Sequence, residues 1–286
     1  MAIEYAVKYE RKVDEAFKLG ALTGAVVNNE FDWLGVEAIK VYSIPTVSMN
    51  DYDIDGTHPF ARYGTPAELE GTVQTMQIQK DRSFTFTIDR KSYQDTQMTH
   101  EAARALRRQI EQVVIPEVDA YRIAALAAAC PTGNKVTTAA SASNAYKLFL
   151  DAQEKIDEAK APVAGRVALV TPAYYNLLKQ DSAFIRSGDL SQNMLLRGQV
   201  GEVDGVPIIK VPSSFFPATI STANVSVNFI ITNRIAMVSP VKLETYRIHE
   251  DAPGISGWLA EGRIRYDAFV LNNKKGAIAA NIVART

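Results

Sequence analysis

Asp51, Asp53 and Asp55, followed by Gly56, alternate like the first half of a calcium loop, where carboxylates at every second position converge on a hard cation and glycine permits a sharp turn. The twelfth position is Arg62, where a bidentate glutamate is required, and no helices flank the run, so it reads as a solvated acidic loop. His58, His100 and His249 stand far apart in sequence, and none makes a two-histidine helical spacing, so no zinc site is expected. His249 lies beside Glu250 and Asp251, but no partner for acid–base work is in view. His58 precedes Pro59 in a loop, and His100 falls in the first turns of a helix. Cys130 follows an alanine-rich segment and reads as a buried, inert thiol. Gly254, Ile255, Ser256 and Gly257 lack the spacing of a nucleophile elbow, and neither a phosphate-binding loop nor a dinucleotide fingerprint occurs. Glu154, Asp157 and Glu158 occupy the solvent side of a helix. No residue is therefore assigned to catalysis, to a cofactor or to a metal.

The elements that would position such residues are better defined than the residues themselves. From Trp258 to Ala268 the even positions are Trp, Ala, Gly, Ile, Tyr and Ala, whereas Glu261, Arg263, Arg265 and Asp267 occupy the odd ones. This two-residue period predicts a strand with one apolar face, carrying Trp258, Ile264 and Tyr266, and one charged face turned outward. Asn272 to Gly276 forms a turn, and Ala277 to Val283 a second apolar strand. The longest helix is expected over about 97–129, kinked at Pro116, with Met98, Ala102, Leu106, Ile110, Val113 and Val114 on one side. Thirty residues of helix extend roughly 45 Å, long enough to serve as a spine.

Before it, Tyr9, Val13, Ala16 and Phe17 make one side of a short charged helix that Gly20 ends. Val36 to Met49 contains a strand edged by Pro45, and Asn50 to Gly71 a long excursion without periodicity. Val73 to Ile88 returns as two half-buried strands across a turn at Lys80, Asp81 and Arg82. After the spine come a helix at Tyr146 to Ala159 and a strand at Arg166 to Val170. Thr171 and Pro172 then open another helix, and an Asp204-Gly205 turn precedes a strand at Val206 to Val211. Val227 to Thr232 and Ile235 to Val238 are further strands.

Lys plus Arg number 31 against 32 Asp plus Glu, with no block of five like charges, which argues against a nucleic-acid-gripping surface. Arg107 with Arg108, and Lys274 with Lys275, read as surface or ion-paired groups. A single cysteine among 286 residues excludes an internal disulfide framework. No apolar run is long enough to span a bilayer, and the charged start, MAIEYAVKYERK, does not suit a signal peptide.

Taken in order, KLGALTG, RYGTPAELEGTVQ, FTFTIDR, EAARALRRQIEQVVIPEVDAYR, VTPAYYNLLKQD, GEVDGVPIIKVP, PGISGWL and YDAFVLNNKKGAI make the chain resemble a major capsid protein of a tailed bacteriophage, of the Hong Kong 97-type fold. The resemblance implies an α+β chain with an N-terminal arm (1–35) and an extended β-hairpin loop (36–90) lying over a neighbouring subunit. It further implies a peripheral domain (91–144 and 241–286) carrying the spine helix, and an axial domain (145–240). It implies a non-enzymatic coat protein of the virion, assembled in the host bacterial cytoplasm into pentamers and hexamers of an icosahedral shell around double-stranded DNA. Portal and possible decoration proteins would be partners, with no membrane. Only about 35 residues precede the first loop strand, so a separate scaffolding protein is expected rather than a removed N-terminal segment. Some relatives crosslink a loop lysine to an asparagine, for which Lys80, Asn272 and Asn273 have the right chemistry; no crosslink is assigned. The alternatives are an encapsulin-like compartment and an α/β enzyme with residues 50–71 as a lid.

Overall fold

The computed structural model describes residues 22–28, 30–31, 38–44, 46–57, 62–66, 68, 70–90, 102–182 and 201–285. The arm helix, His58 and His100, Pro45, and the spine before residue 102 lie outside the described residues. Two units separate: residues 33–78, and the rest of the chain.

The smaller unit is a hairpin. Strands β1 (Ala38–Ser43) and β2 (Thr72–Gln77) pair antiparallel, from Ala38 opposite Gln77 to Ser43 opposite Thr72. Their connection is long, and part of it is internally tied. Asp53 Oδ1 accepts from the Gly56 N–H at 2.9 Å, and the Asp53 N–H donates to the Arg62 carbonyl at 2.9 Å. Gly56 has φ +67, a conformation that glycine adopts without a Cβ penalty.

In the larger unit the order begins with β3 (Lys80–Asp89), α1 (Ala102–Gln109), a π-helical turn (Ile110–Val114), α2 (Ile115–Ala129) and β4 (Lys135–Val136). Then follow α3 (Ala145–Glu158), β5 (Arg166–Val170), α4 (Pro172–Gln180), β6 (Glu202–Val203), β7 (Val206–Lys210), β8 (Thr219–Ile220) and β9 (Ala223–Asn233). The chain closes with β10 (Met237–Val238), β11 (Val241–Glu250), β12 (Gly257–Tyr266), β13 (Phe269–Val270), a 3-10 turn (Asn272–Ala277) and β14 (Ile278–Ala284).

The seven-stranded sheet runs β4-β14-β9-β5-β7-β6, with β8 on β9. Helices cover both of its faces. Val167, Leu169, Ile230, Ile278 and Ala280 face Ile123, Leu126 and Ala127 of α2. Ala168, Val170, Phe229, Ile231 and Ala279 face Leu148, Phe149 and Ile156 of α3 and Tyr174 and Leu178 of α4. This two-sided burial explains why β5 is buried at every position and, after Arg166, reads as an unbroken apolar run. Thr171 caps α4 as its sequence predicts, its hydroxyl accepting from the Tyr174 N–H at 3.3 Å, with Pro172 in the first turn. Asp204 (φ 49) and Gly205 (φ 72) make the turn between β6 and β7.

Several expectations change. Lys80, Asp81 and Arg82 are not a turn but the start of β3, which pairs along its length with β12. The compact unit that holds the hairpin spans residues 33–78, and Phe84, Phe86 and Ile88 find their cross-strand partners on β12. The strand after Ala277, β14, pairs with both β9 and β4. Its first five residues are all buried, so both faces need cover, and the helix-flanked sheet supplies it. At Pro116 the spine carries a π turn. The Ile115 N–H reaches back to the Ile110 carbonyl, so the hydrogen-bond pattern changes just before the residue that has no N–H to give. Val113 is exposed while Val114 is buried; neighbouring residues lie about 100° apart on a helix and do not share a face.

The three-stranded sheet, ordered β11-β12-β3, depends on Gly262. A Cβ there would lie 2.3 Å from the Phe84 ring and 2.9 Å from Tyr246, two rings whose centroids are 6.1 Å apart. Gly262→Ala should therefore cost about 1–3 kcal/mol, as overpacked cores do. Urea unfolding checks this, and a change within error would mean that the rings yield freely.

Candidate assembly surfaces

The three-stranded sheet has two unlike faces. On one, Ile264 and Tyr266 pack against Val114 and Val118 of the spine, as the alternation predicts, while Trp258 is half-buried. The Tyr266 hydroxyl donates to Glu117 Oε1 at 3.1 Å, and Arg82 Nε reaches the same oxygen at 2.8 Å. The rings of Tyr121 and Tyr266 meet edge-on at 5.5 Å, and the Lys80 ammonium lies 5.3 Å from the Tyr121 centroid.

On the other face, Arg263 grips Asp81 with two nitrogens, Nε to Oδ1 at 2.9 Å and Nη2 to Oδ2 at 2.5 Å. Those bonds hold the Asp81 carboxyl below the usual carboxylate range. His249 Nε2 lies 3.4 Å from Glu261 Oε2 across the strands, so its nearest carboxylate in space is not one of its sequence neighbours. Arg263 and Arg265 of the charged row thus find an opposite charge, Asp81, within their own chain. Asp267, expected to point outward with that row, is instead buried. Its carboxylate accepts from the Gln79 N–H at 2.9 Å, the Tyr121 hydroxyl at 2.8 Å and the Ala268 N–H at 2.8 Å. The strand ends at Tyr266, so the alternation no longer fixes where Asp267 points.

The hairpin unit presents the other surface. Of the twelve large apolar side chains exposed among the described residues, eight belong to it: Tyr42, Ile44, Val47, Met49, Tyr52, Ile54, Tyr63 and Val73. Met49 is 98% exposed. Such concentration on one element marks a contact surface, since isolated exposed apolar residues are ordinary but clustered ones are not.

The chemistry candidates take structural places. Cys130 is buried, and burial pushes its thiol up to about 11. Ser256 lies in the turn between β11 and β12, its carbonyl accepting from the Arg90 N–H at 3.0 Å; Asp251 Oδ2 accepts from Arg90 Nη2 at 2.6 Å. Asp157, read as a solvent-face carboxylate, accepts from Nη2 of the buried Arg166 at 2.6 Å. Arg107 pairs with Glu111 at 2.9 Å. Asn272 and Asn273 open the 3-10 turn, and Lys274 and Lys275 follow, half-buried. Asp51, Asp53 and Asp55 share the loop in which Asp53 binds backbone and Thr57 rather than converging with the others. Among the described residues no group of three or more His, Cys, Asp or Glu could hold a metal, and no helix is long and apolar enough to cross a membrane.

A family model described as phage capsid protein matches residues 71–280. The chain belongs to the phage capsid protein family. Structures with the same fold accompany this capsid protein over nearly its whole length. That of Mycobacterium phage Che8 is 15% identical, with a TM-score of 0.76 and coverage of 98% of this chain and 96% of the other. The capsid of Cyanophage P-SCSP1u is 16% identical, with a TM-score of 0.73 and coverage of 99% and 94%. The mature capsid of bacteriophage PhiM1 is 14% identical, with a TM-score of 0.68 and coverage of 98% and 92%. No curated protein matches in sequence. The Hong Kong 97-type resemblance carried by scattered motifs is thus a likeness of the whole α+β fold.

In this capsid protein the polar residues missed by sequence reading are those that sit on apolar elements: Asp119 and Arg122 on the spine, and Ser239 before β11. The signal for Asp119 and Arg122 was an acid and a base three residues apart on a mostly apolar helix. Tyr266 adds a pH dependence. Burial, then the charge and hydrogen bond of Glu117, push its phenol up to about 12. Burial and the bond to Asp267 move Tyr121 the same way. An unfolded phenol ionises near pH 10. The contribution is therefore whole below pH 10 and is lost as pH rises to about 12. The melting temperature should fall across that window, and Tyr266→Phe should make the fall shallower; an unaltered slope would contradict the assignment.

Proposed function

We propose that this capsid protein is the major coat subunit of a tailed double-stranded DNA phage, self-assembling into pentamers and hexamers of an icosahedral shell. The observation that carries this is the concentration of exposed apolar side chains on the hairpin unit, which suits burial on another copy. In this reading residues 1–35 form an arm and the hairpin reaches over a neighbour. The spine and three-stranded sheet make the peripheral part, and residues 145–240 the axial part.

The subunit acts by geometry and has no catalytic role. Many modest contacts, repeated by symmetry, add up to a stable shell. Near balance between 31 basic and 32 acidic residues suits a wall that encloses DNA without gripping its phosphates. A portal, a separate scaffolding protein and possible decoration proteins would act with it in the host bacterial cytoplasm, and the product would be the virion shell.

Electron microscopy and size-exclusion chromatography of the expressed chain test the proposal. Capsomers or shells are expected, alone or with a co-expressed scaffold. A persistent monomer under both conditions would overturn it, and DNA-free compartments holding a cargo enzyme would point to an encapsulin-like shell.

A further inference from the structure

A continuous chain of buried and partly buried hydrogen bonds runs through the larger unit. The Leu22 N–H donates to Asp119 Oδ2 at 2.8 Å, and the Thr23 hydroxyl donates to Asp119 Oδ1. Arg122, one helical turn further along α2, donates from Nη1 to Thr23 Oγ1 at 3.0 Å and from Nε to Ser239 Oγ at 2.8 Å. The Ser239 hydroxyl donates onward to the Asp267 carbonyl at 2.7 Å. The Asp267 carboxylate then takes the Gln79 N–H at 2.9 Å. Thr23, Asp119, Ser239 and Asp267 are all buried, and burial draws the Arg122 pKa down while Asp119, 3.9 Å away, opposes the shift.

The direction of these bonds matters. Thr23 and Ser239 each accept from Arg122 and donate away from it, so each hydroxyl has its one proton committed. Shifting any member alone would leave a buried donor or acceptor unpaired, which costs more than the net worth of the bond itself. The ends of the chain are also telling. The segment from Leu22 to Asn28 precedes the hairpin unit, and it is further fixed by the Asn28 N–H to Met237 carbonyl bond of 2.8 Å. Gln79 is the first residue after that unit.

We propose that the relay Thr23, Asp119, Arg122, Ser239, Asp267 and Gln79 couples the segment that precedes the hairpin unit in the chain to the backbone that follows it, so that the segment at Leu22 and the backbone at Gln79 loosen or tighten together. The coupling is a property of the single chain. Its use, in making the arm and the hairpin respond jointly to a neighbouring copy, rests on the shell reading.

Amide hydrogen exchange of the purified full chain tests it, with Ile230 in β9 as the internal reference. Thr23→Val removes the hydroxyl at one end, and Ser239→Ala breaks the middle without touching either reporting amide. Thr23→Val should raise exchange at Gln79 by about fivefold or more, as a coupling of roughly 1 kcal/mol implies. Ser239→Ala should raise it at both Leu22 and Gln79, with Ile230 unchanged. If Thr23→Val frees only the Leu22 end, or Ser239→Ala leaves either end unaltered, the relay is overturned. An equal rise at Ile230 overturns it too, because the coupling would then be global unfolding. Failure to form shells would sink the functional reading and leave this result standing.

Discussion

Phe229→Ala should destabilise the chain by about 3–5 kcal/mol, as loss of a fully buried aromatic ring does in other cores. Phe229 is 0% exposed on the α3 and α4 side of the seven-stranded sheet. Its ring centroid lies 4.7 Å from Tyr174 and 5.6 Å from Phe149, so removing it strips two rings of their partner at once. Tyr174 has little freedom to follow, because its hydroxyl donates to the Ala145 carbonyl at 2.6 Å. The cavity should therefore stay largely open, which places the cost high in the range. Equilibrium urea unfolding is the measurement, and a loss below about 1 kcal/mol would mean that the helices collapse onto the sheet.

The paired substitution Ile54→Asp with Tyr63→Asp should have the opposite profile, sparing the fold and removing assembly. These side chains are 77% and 81% exposed, so the folded chain gives up little of its own packing when they become charged. Tyr63 meets Tyr52 edge-on at 5.2 Å, a contact whose loss is local to the loop. If another copy covers them, each forfeits about 1.5–3 kcal/mol of burial and adds a charge that the interface must desolvate. Shell yield should then fall by about tenfold or more, the factor that 1.4 kcal/mol per contact already implies, while the circular dichroism melt stays unchanged. Normal particles from this variant would show that the hairpin is not the adhesive surface.

How much of this was legible beforehand depended on the range of the signal. Strand β12 was readable because its alternation from Trp258 to Tyr266 is a property of adjacent residues. The cap at Thr171 and the turn at Asp204 and Gly205 were readable for the same reason. Sheet membership was not. Nothing local to Ile278–Ala284 says that it pairs with β9 rather than with the strands nearer the spine, since pairing is decided by the whole set of available edges. Asp267 escaped local reading because it stands where the alternation of β12 has ended, and only the fold brings Tyr121 to it; Asp157 is exposed as its helix position predicts, but only the fold brings Arg166 to it. The loop of the hairpin unit was legible in outline as a long excursion, but its apolar exposure is visible only once the strands on either side are paired.

Gly262 carries a consequence beyond this one chain. With the Phe84 ring 2.3 Å from where a Cβ would stand, the two positions constrain each other's history. A lineage that gains a side chain at 262 must first, or simultaneously, lose bulk at 84, and one that keeps a large ring at 84 is held at glycine. Across diverging coat proteins these two sites should drift as a pair, whereas the exposed Ser83 beside them is free to change alone.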